Sequence, residues 1–543
     1  GRLMARVLAA AACLLPLQLT SSELSPIHLE ERSGRAHAFV DAEGREVIFH
    51  GTNAVVKGPP WHPDHAQFSP DISMAKEDFQ LMQRLGLNFL RLGVMWPGTE
   101  PVRGQYNETY LDQIDRIVAM AGEHGVYVML DMHQDGLSEY FCGHGFPFWA
   151  VKRSEERWYN PLSKPFPAPF DRFENETCFY IEEKHQGARF PTRHACHHHH
   201  HFLSWGEGTF EAAQAYQALW DNWNGIGDAF AAVWAKIATR FKGRPEVVGF
   251  EVLNEPFVGD VYHNPLRMVP YPYPLNADRM NMQPTYDKVN AAVRAVDEDV
   301  LLFVEGVTWG NYGSGFSAAP GGPGCGNRTV VAYHYYEPPQ LTVSGQVGSH
   351  VSEARRLGAA ALLTETSSIW NPKRGARREG LADICDAHLQ GWADWAWKPF
   401  FRAGPGDPKG ASQYGVWGNP GTGRGKIWRG GAPPDYFLRD LARTYAPRVV
   451  GAHAGMRFSG ATGDFELQYD VGRVDPDLAT EIFLLPSRYP GGAAVSASAS
   501  AGSVRVSYDG RGQWVRIYAG EGLRVGARVV VKVRRRAPQD LLV

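Results

Sequence analysis

The sequence has little net charge. Its 55 lysines and arginines nearly cancel its 58 aspartates and glutamates, leaving a formal charge of -3. A balance so close to neutral argues against nucleic acid, or an anionic membrane, as the main partner. Long apolar runs are also scarce. Beyond residue 22 no stretch approaches the roughly 20 apolar residues that span a bilayer, so no transmembrane helix is expected in the mature chain. Cysteine is sparse, with six in 543 residues, which excludes a small scaffold stapled by disulfides. A packed core must do that work. With 44% hydrophobic residues the chain can build several domains, or one large barrel with an appendage.

The most concentrated apolar run, residues 7–19, follows Arg2 and Arg6 and precedes Thr20, Ser21 and Ser22. That order predicts a secretory signal peptide over residues 1–22, with Met4 as a candidate start, and a secreted or lysosomal, endomembrane-lumen protein. Cys13 falls inside it. Cys142, Cys178, Cys196, Cys325 and Cys385 remain. In an oxidising compartment this odd number predicts one or two bridges, the first among Cys142, Cys178 and Cys196, and at least one free thiol. Sequons at Asn107, Asn175 and Asn327 fit secretion. Aromatic residues are abundant, including 16 Trp, which serve equally as core filler or as stacking faces for sugars and lipids.

Apolar strand patterns at 46–53, 87–92, 126–130, 247–253, 300–305, 329–336, 359–365 and 391–398 alternate with amphipathic helix patterns. Eight such units predict an α/β chain, a (β/α)8 TIM barrel over residues 23–446. A long insertion at about 136–208, rich in aromatic residues, proline and glycine, is expected to form a lid or binding wall. It holds His197–His201, a run read as a tolerated loop rather than a metal site, because adjacent side chains on an irregular segment define no geometry. From 447 to 543 short alternating strands separated by Gly, Asp and Pro predict a C-terminal all-β sandwich.

The chemistry centres on GFEVLNEP, residues 249–256. A strand-forming run stops abruptly at Asn254, Glu255 and Pro256, where a barrel places its reactive groups. The same tripeptide could be a helix cap or a turn. A second apolar strand ends at Glu365. Strands four and seven stand on opposed sides of a barrel mouth, so the two carboxyls can flank one bond. Glycoside hydrolysis needs such a pair, one protonated and one ionised. Arg91, His334 and Trp395 stand at further strand ends.

These marks resemble glycoside hydrolase family 5. The features carrying the likeness are Arg91, Asn254-Glu255-Pro256, His334-Tyr-Tyr336, Glu365 and Trp395. More narrowly, Gly51-Thr-Asn53, Lys57-Gly-Pro-Pro60, Asp131-Met-His133-Gln-Asp135, Phe146-Pro-Phe-Trp149 and the stretch 480–492 are similar to the endoglycoceramidases within it. The resemblance implies a retaining β-glycosidase acting between glycan and ceramide of glycosphingolipids. It implies Glu365 as nucleophile and Glu255 as acid and base. Asn254 would meet the sugar 2-hydroxyl, Tyr336 and Arg91 would attend Glu365, and His334 would line the floor. Trp395 would stack on the sugar, and Lys57, His133 and Asp135 would bind its hydroxyls; His133 and Asp135 could instead be supporting groups, and Lys57 could merely pair with a surface acid.

The sequence Thr364-Glu365-Thr-Ser-Ser departs from the Thr-Glu-Phe-Gly usual around this nucleophile. A steryl glucosidase, a simple glycosylceramidase, a β-glucanase or a non-catalytic sugar- or lipid-binding barrel therefore stay open. No cofactor or metal is expected, since protons and a carboxylate suffice. The expected partners are the glycolipid and, transiently, a membrane surface. No nucleic acid is expected, and the chain is expected to be a monomer.

Overall fold

The computed structural model describes residues 24–141, 143–153, 181–184, 188–191, 208, 210–308, 310, 313–336, 340, 342–366, 380–398, 400, 442–510 and 512–536. The leader expected at 1–22, Cys142, Cys178, Cys196, the Asn175 sequon and the His197–His201 run lie outside the described residues. Cys325 and Cys385 are free thiols, and Asn107 and Asn327 are exposed. Among the described residues no helix is long and apolar enough to cross a membrane.

The chain opens with three short strands, β1 (Ile27–Glu30), β2 (Ala38–Asp41) and β3 (Glu46–Val47). The barrel follows as β4 (His50–Ala54), β5 (Phe89–Gly93) and β6 (Tyr127–Asp131). A hairpin of β7 (Ile181–Lys184) and β8 (Ala188–Pro191) interrupts it. The barrel resumes with β9 (Val247–Glu251), β10 (Leu301–Val304), β11 (Thr329–Tyr335), β12 (Ala360–Thr366) and β13 (Trp392–Asp394). These eight barrel strands are parallel and close in the order β10-β11-β12-β13-β4-β5-β6-β9. Amphipathic helices cover them. In Glu108–Glu123 the residues Leu111, Ile114, Ile117, Val118 and Ala121 recur at helical spacing and are buried, and the Asn107 side chain caps the start by accepting from the Tyr110 amide.

Strand alternation sorts the barrel interior into layers. Phe89, Met129, Phe303, Ala332 and Leu362 belong to one buried apolar cluster at the N-terminal end of the barrel. Two residues further along the same strands stand Arg91, Asp131, Glu305, His334 and Thr364, all buried and polar. Gly249 belongs to the lower layer, where a Cβ would come within 2.7 Å of the Phe303 ring; Glu251 stands two residues above it. The apolar floor thus supports a charged layer at the C-terminal mouth.

The C-terminal module follows as β14 (Tyr445–Val449), β15 (Gly451–Phe458), β16 (Phe465–Val471), β17 (Ala479–Phe483), β18 (Ala493–Ala499), β19 (Val504–Ser507), β20 (Trp514–Ala519) and β21 (Arg528–Arg535). One sheet orders β15-β16-β21-β18, and the other orders β1-β2-β3-β14-β17-β20-β19. The first three strands, assigned to the barrel, hydrogen-bond into the C-terminal sheet through the β3–β14 pair. They also stop the barrel's floor, with the Phe39 ring 5.0 Å from Phe49 and 6.4 Å from Phe303. The joint is dense. Tyr445 stacks on His50 at 3.8 Å, and its hydroxyl donates to the Gly86 carbonyl at 2.7 Å.

Candidate active site

Arg91 is the hub of the charged layer. Fully buried on β5, it spreads its guanidinium among the neighbouring strands. Nε donates to Glu251. Nη1 donates to Asn53 and to Glu365 Oε2, both at 3.0 Å. Nη2 donates to Asn254 Oδ1 at 2.7 Å and lies 3.2 Å from Asp131. Three carboxylates raise the charged form of this group above its ordinary stability, although burial opposes it. Only the planar fork of arginine can meet so many partners in one plane.

Glu365 reaches the interior because β12 is irregular. Simple alternation after Leu362 would turn Thr364 inward and Glu365 outward. The register with β11 shifts between Tyr333 and His334, so that His334 pairs with Glu365, and a second shift occurs against β13. Such a bulge re-aims side chains. Thr364 Oγ1 donates to Glu251 at 2.9 Å while Glu365 takes bonds from Arg91 and from the Tyr336 hydroxyl. Tyr336 lies one residue past the end of β11.

Glu255 does not end its strand. β9 stops at Glu251, and Glu255 sits four residues on with φ of 41°. The left-handed region costs a side-chain-bearing residue about 1–3 kcal/mol, so surrounding bonds must impose it. Gln134 Nε2 donates to the carbonyls of Asn254 at 2.8 Å and Glu255 at 2.9 Å. The Glu255 amide donates to Glu305 Oε2 at 2.7 Å. Gln134 is itself fixed, its Oε1 accepting from the Tyr216 hydroxyl at 2.6 Å and the Leu137 amide at 2.9 Å. His334 Nδ1 lies 2.8 Å from Glu255 Oε1 and 3.5 Å from Glu305.

The environments of the acids differ. Burial, together with the negative charge of Asp135, pushes Glu255 up to about 7, against His133, Lys57 and Arg91. Burial and the neighbouring Glu255 and Glu251 hold Glu305 well above the carboxylate range. Burial drives His334 down to about 3, so its ring is neutral and Nδ1–H can donate to Glu255. Burial also opposes charge on Asp135, yet Lys57, His144 and His133 keep it well below the ordinary range.

A second group adjoins the first. Lys57 donates to Asp135 and lies 4.6 Å over the Trp395 ring. His133 stacks on Trp395 at 5.2 Å and bonds Asp131 at 2.8 Å, tying this wall to Arg91. All ten residues singled out from sequence therefore meet at one mouth. Sequence reading passed over Glu251, Glu305, Gln134 and His144, the last 2.9 Å from Asp135. The acids Glu251 and Glu305 carried a signal, each being a carboxylate in an apolar strand run. Gln134 stood inside the motif 131–135, but nothing in it pointed to a backbone-holding role.

Among the described residues three sets of acids and histidines are compact enough to hold a cation: His133–Asp135–His144, Glu251–Glu305–His334 and Glu255–His334–Glu365, with donor atoms within 4.8 Å of one another. Positive charge already enters each region, from Lys57 at Asp135 and from Arg91 at Glu251 and Glu365. What the arrangement can do with its own groups is proton transfer and nucleophilic attack by opposed carboxyls.

The cellulase (glycosyl hydrolase family 5) model matches residues 40–175 and 195–401, and the family 5 C-terminal domain matches 443–533. The chain is 37% identical over 465 residues to an endoglycoceramidase of Cyanea nozakii, covering 84% of this chain and 83% of that protein. It is 34% identical over 456 residues to an endoglycoceramidase of Hydra vulgaris, covering 83% and 80%. Endo-glycoceramidase II from Rhodococcus sp., solved with ganglioside GM3, shares the fold with a TM-score of 0.60 at 20% identity, over 92% of this chain and 99% of that one.

Proposed function

The chain belongs to glycoside hydrolase family 5, and from that premise we propose that it hydrolyses the β-glycosidic bond between glycan and ceramide in glycosphingolipids, with retention. The observation that carries the mechanism is the pairing of Glu255 and Glu365, one oxygen of each lying within 4.8 Å of the other. That spacing is shorter than the roughly 6.5–9.5 Å by which inverting enzymes leave room for a water. The substrate class rests on the relatives, whose likeness runs through barrel and C-terminal module together.

In this reading Glu365 attacks the anomeric carbon while Glu255 protonates the departing ceramide oxygen. The glycosyl–enzyme ester forms as the C–O bond to ceramide breaks. Glu255, now ionised, takes a proton from water, which attacks the same carbon and frees Glu365. The bonds from Tyr336 and Arg91 aim the Glu365 carboxyl at the carbon before attack. His334 donates to Glu255 Oε1 and leaves Oε2 for the transferred proton. Asn254 meets the 2-hydroxyl, Trp395 stacks on the ring, and Lys57, His133 and Asp135 receive the other hydroxyls. The leader and the exposed Asn107 and Asn327 sequons support synthesis into the secretory lumen.

Glu255→Gln and Glu365→Gln are each expected to lower glycan release from a fluorescent ganglioside by a factor of at least about 10³. Mass spectrometry of the wild-type products should find intact oligosaccharide and ceramide. Release of free glucose and sterol, or cleavage of a β-glucan with no sphingolipid turnover, would overturn the substrate assignment.

A further inference from the structure

The described residues expose ten large hydrophobic side chains, and five of them fall in one short segment: Leu266, Val269, Tyr271, Leu275 and Met280. The segment belongs to the loop that leaves the mouth of the barrel directly after Glu255 and Pro256. Its base is firmly tied. Asn281 donates to the Val258 carbonyl at 2.7 Å. Asp278 accepts from the amides of Val307 at 2.6 Å and Gly315 at 2.7 Å, beyond β10. Arg267 donates to the Leu275 carbonyl at 2.8 Å, closing the segment on itself. The apolar groups are therefore presented on a braced ridge, with Leu266 62% and Leu275 50% exposed.

Charge on the ridge has one sign. The acids of residues 257–284 are Asp260 and Asp278, and both are buried. Arg279 is exposed and Arg267 half-buried. Arg356, exposed on the neighbouring helix Val343–Leu357, lies 5.2 Å over the Tyr271 ring. Exposed aliphatic and aromatic groups bordered by arginines and free of exposed carboxylates match the boundary between lipid headgroups and acyl chains. This local bias coexists with the near-neutral charge of the whole chain.

We propose that this ridge docks the barrel mouth onto an anionic lipid bilayer. The inference rests on the glycosphingolipid reading for its purpose, because the bond between glycan and ceramide lies at the bilayer surface. A ridge covalently continuous with Glu255 brings the mouth to that depth. Leu266, Leu275 and Met280 enter the interface, and Arg267, Arg279 and Arg356 meet lipid phosphates and carboxylates.

The test uses the full chain and vesicles of phosphatidylcholine with and without phosphatidylserine. Wild type is expected to cosediment with the anionic vesicles, and Leu266→Asp/Leu275→Asp to bind them roughly a hundredfold more weakly, about tenfold for each change. Arg279→Glu should weaken binding to anionic vesicles and leave neutral ones unaffected. On a ganglioside in detergent micelles the double variant should match wild type, which also shows that it folds. On the same ganglioside in vesicles it should lose activity in proportion to binding. Failure of wild type to bind vesicles, or unchanged binding by the double variant, would overturn the proposal; so would full activity of that variant on vesicles. Vesicle binding through the ridge without turnover of any glycolipid would sustain the docking surface and overturn the substrate reading instead.

Discussion

Replacing Arg91 by lysine keeps the buried positive charge and removes the fork that distributes it. The guanidinium serves Glu251, Glu365 and Asp131 as ion partners and Asn53 and Asn254 as amide partners. One ammonium on a flexible stem cannot reach all five. At least one of the three carboxylates then stays buried without its cation, which costs about 3–5 kcal/mol if it remains charged. Loss of the bond to Glu365 alone removes about 1.5–3 kcal/mol from a charged hydrogen bond, equivalent to about 10–100-fold in kcat/KM. Guanidinium denaturation of Arg91→Lys, run beside kcat/KM on a fluorescent glycolipid, measures both losses. A companion change separates the causes. Glu251→Gln should destabilise the wild type, yet in the Arg91→Lys background it should recover about 1–2 kcal/mol by neutralising the orphaned acid. Wild-type stability and rate for Arg91→Lys, or strict additivity of the two changes, would refute the hub.

Because Glu255 is raised to about 7, its protonated form fills below that value and empties above it. The rate kcat/KM is therefore expected to fall as pH rises through about 7. Asp135→Asn removes a negative charge that contributes to the rise, so this limb should move to lower pH; an unmoved or upward-moving limb would contradict the assignment. Gln134→Leu frees the carbonyls of Asn254 and Glu255. It should lower kcat about tenfold or more with little change in KM, and steady-state kinetics with unchanged kcat would refute its role. Glu46 on β3 joins Arg32, Arg35 and, from the other sheet of the C-terminal module, His453, and although burial opposes its charge, His453 and Arg35 hold it down to about 2. Its folded value lies below the ordinary 4.5, so its contribution is present above about 4.5 and lost as pH falls toward about 2. Glu46→Gln should cost about 3 kcal/mol at neutral pH. Urea melts should show that difference shrinking at acid pH; a constant difference would exclude the charge as its source.

The eight-strand barrel was legible because each strand is short and apolar and amphipathic helices fall between most of them. Arg91, Glu255, Glu365 and His334 were legible because polar groups at the ends of apolar runs cannot be buried without partners. The ownership of β1–β3 was not legible. Their few residues alternate as well for a barrel as for a sandwich, and only the hydrogen-bond register of β3 with β14 assigns them. Gln134 was equally silent, since its role is to hold two carbonyls 120 and 121 positions away in the chain.

By itself the sequence determined the fold class and the two opposed acids, since these follow from periodicity and from polar residues in apolar settings, and its motifs carried the resemblance to family 5. The tertiary structure decided how those acids are aimed. A bulge in β12 turns Glu365 inward against strict alternation, and bonds from Gln134 and Glu305 hold Glu255 in a backbone conformation it would not adopt alone. Local pattern encodes burial, which is a property of one residue and its near neighbours. Aim depends on partners distant in the chain, and those exist only once the barrel has closed.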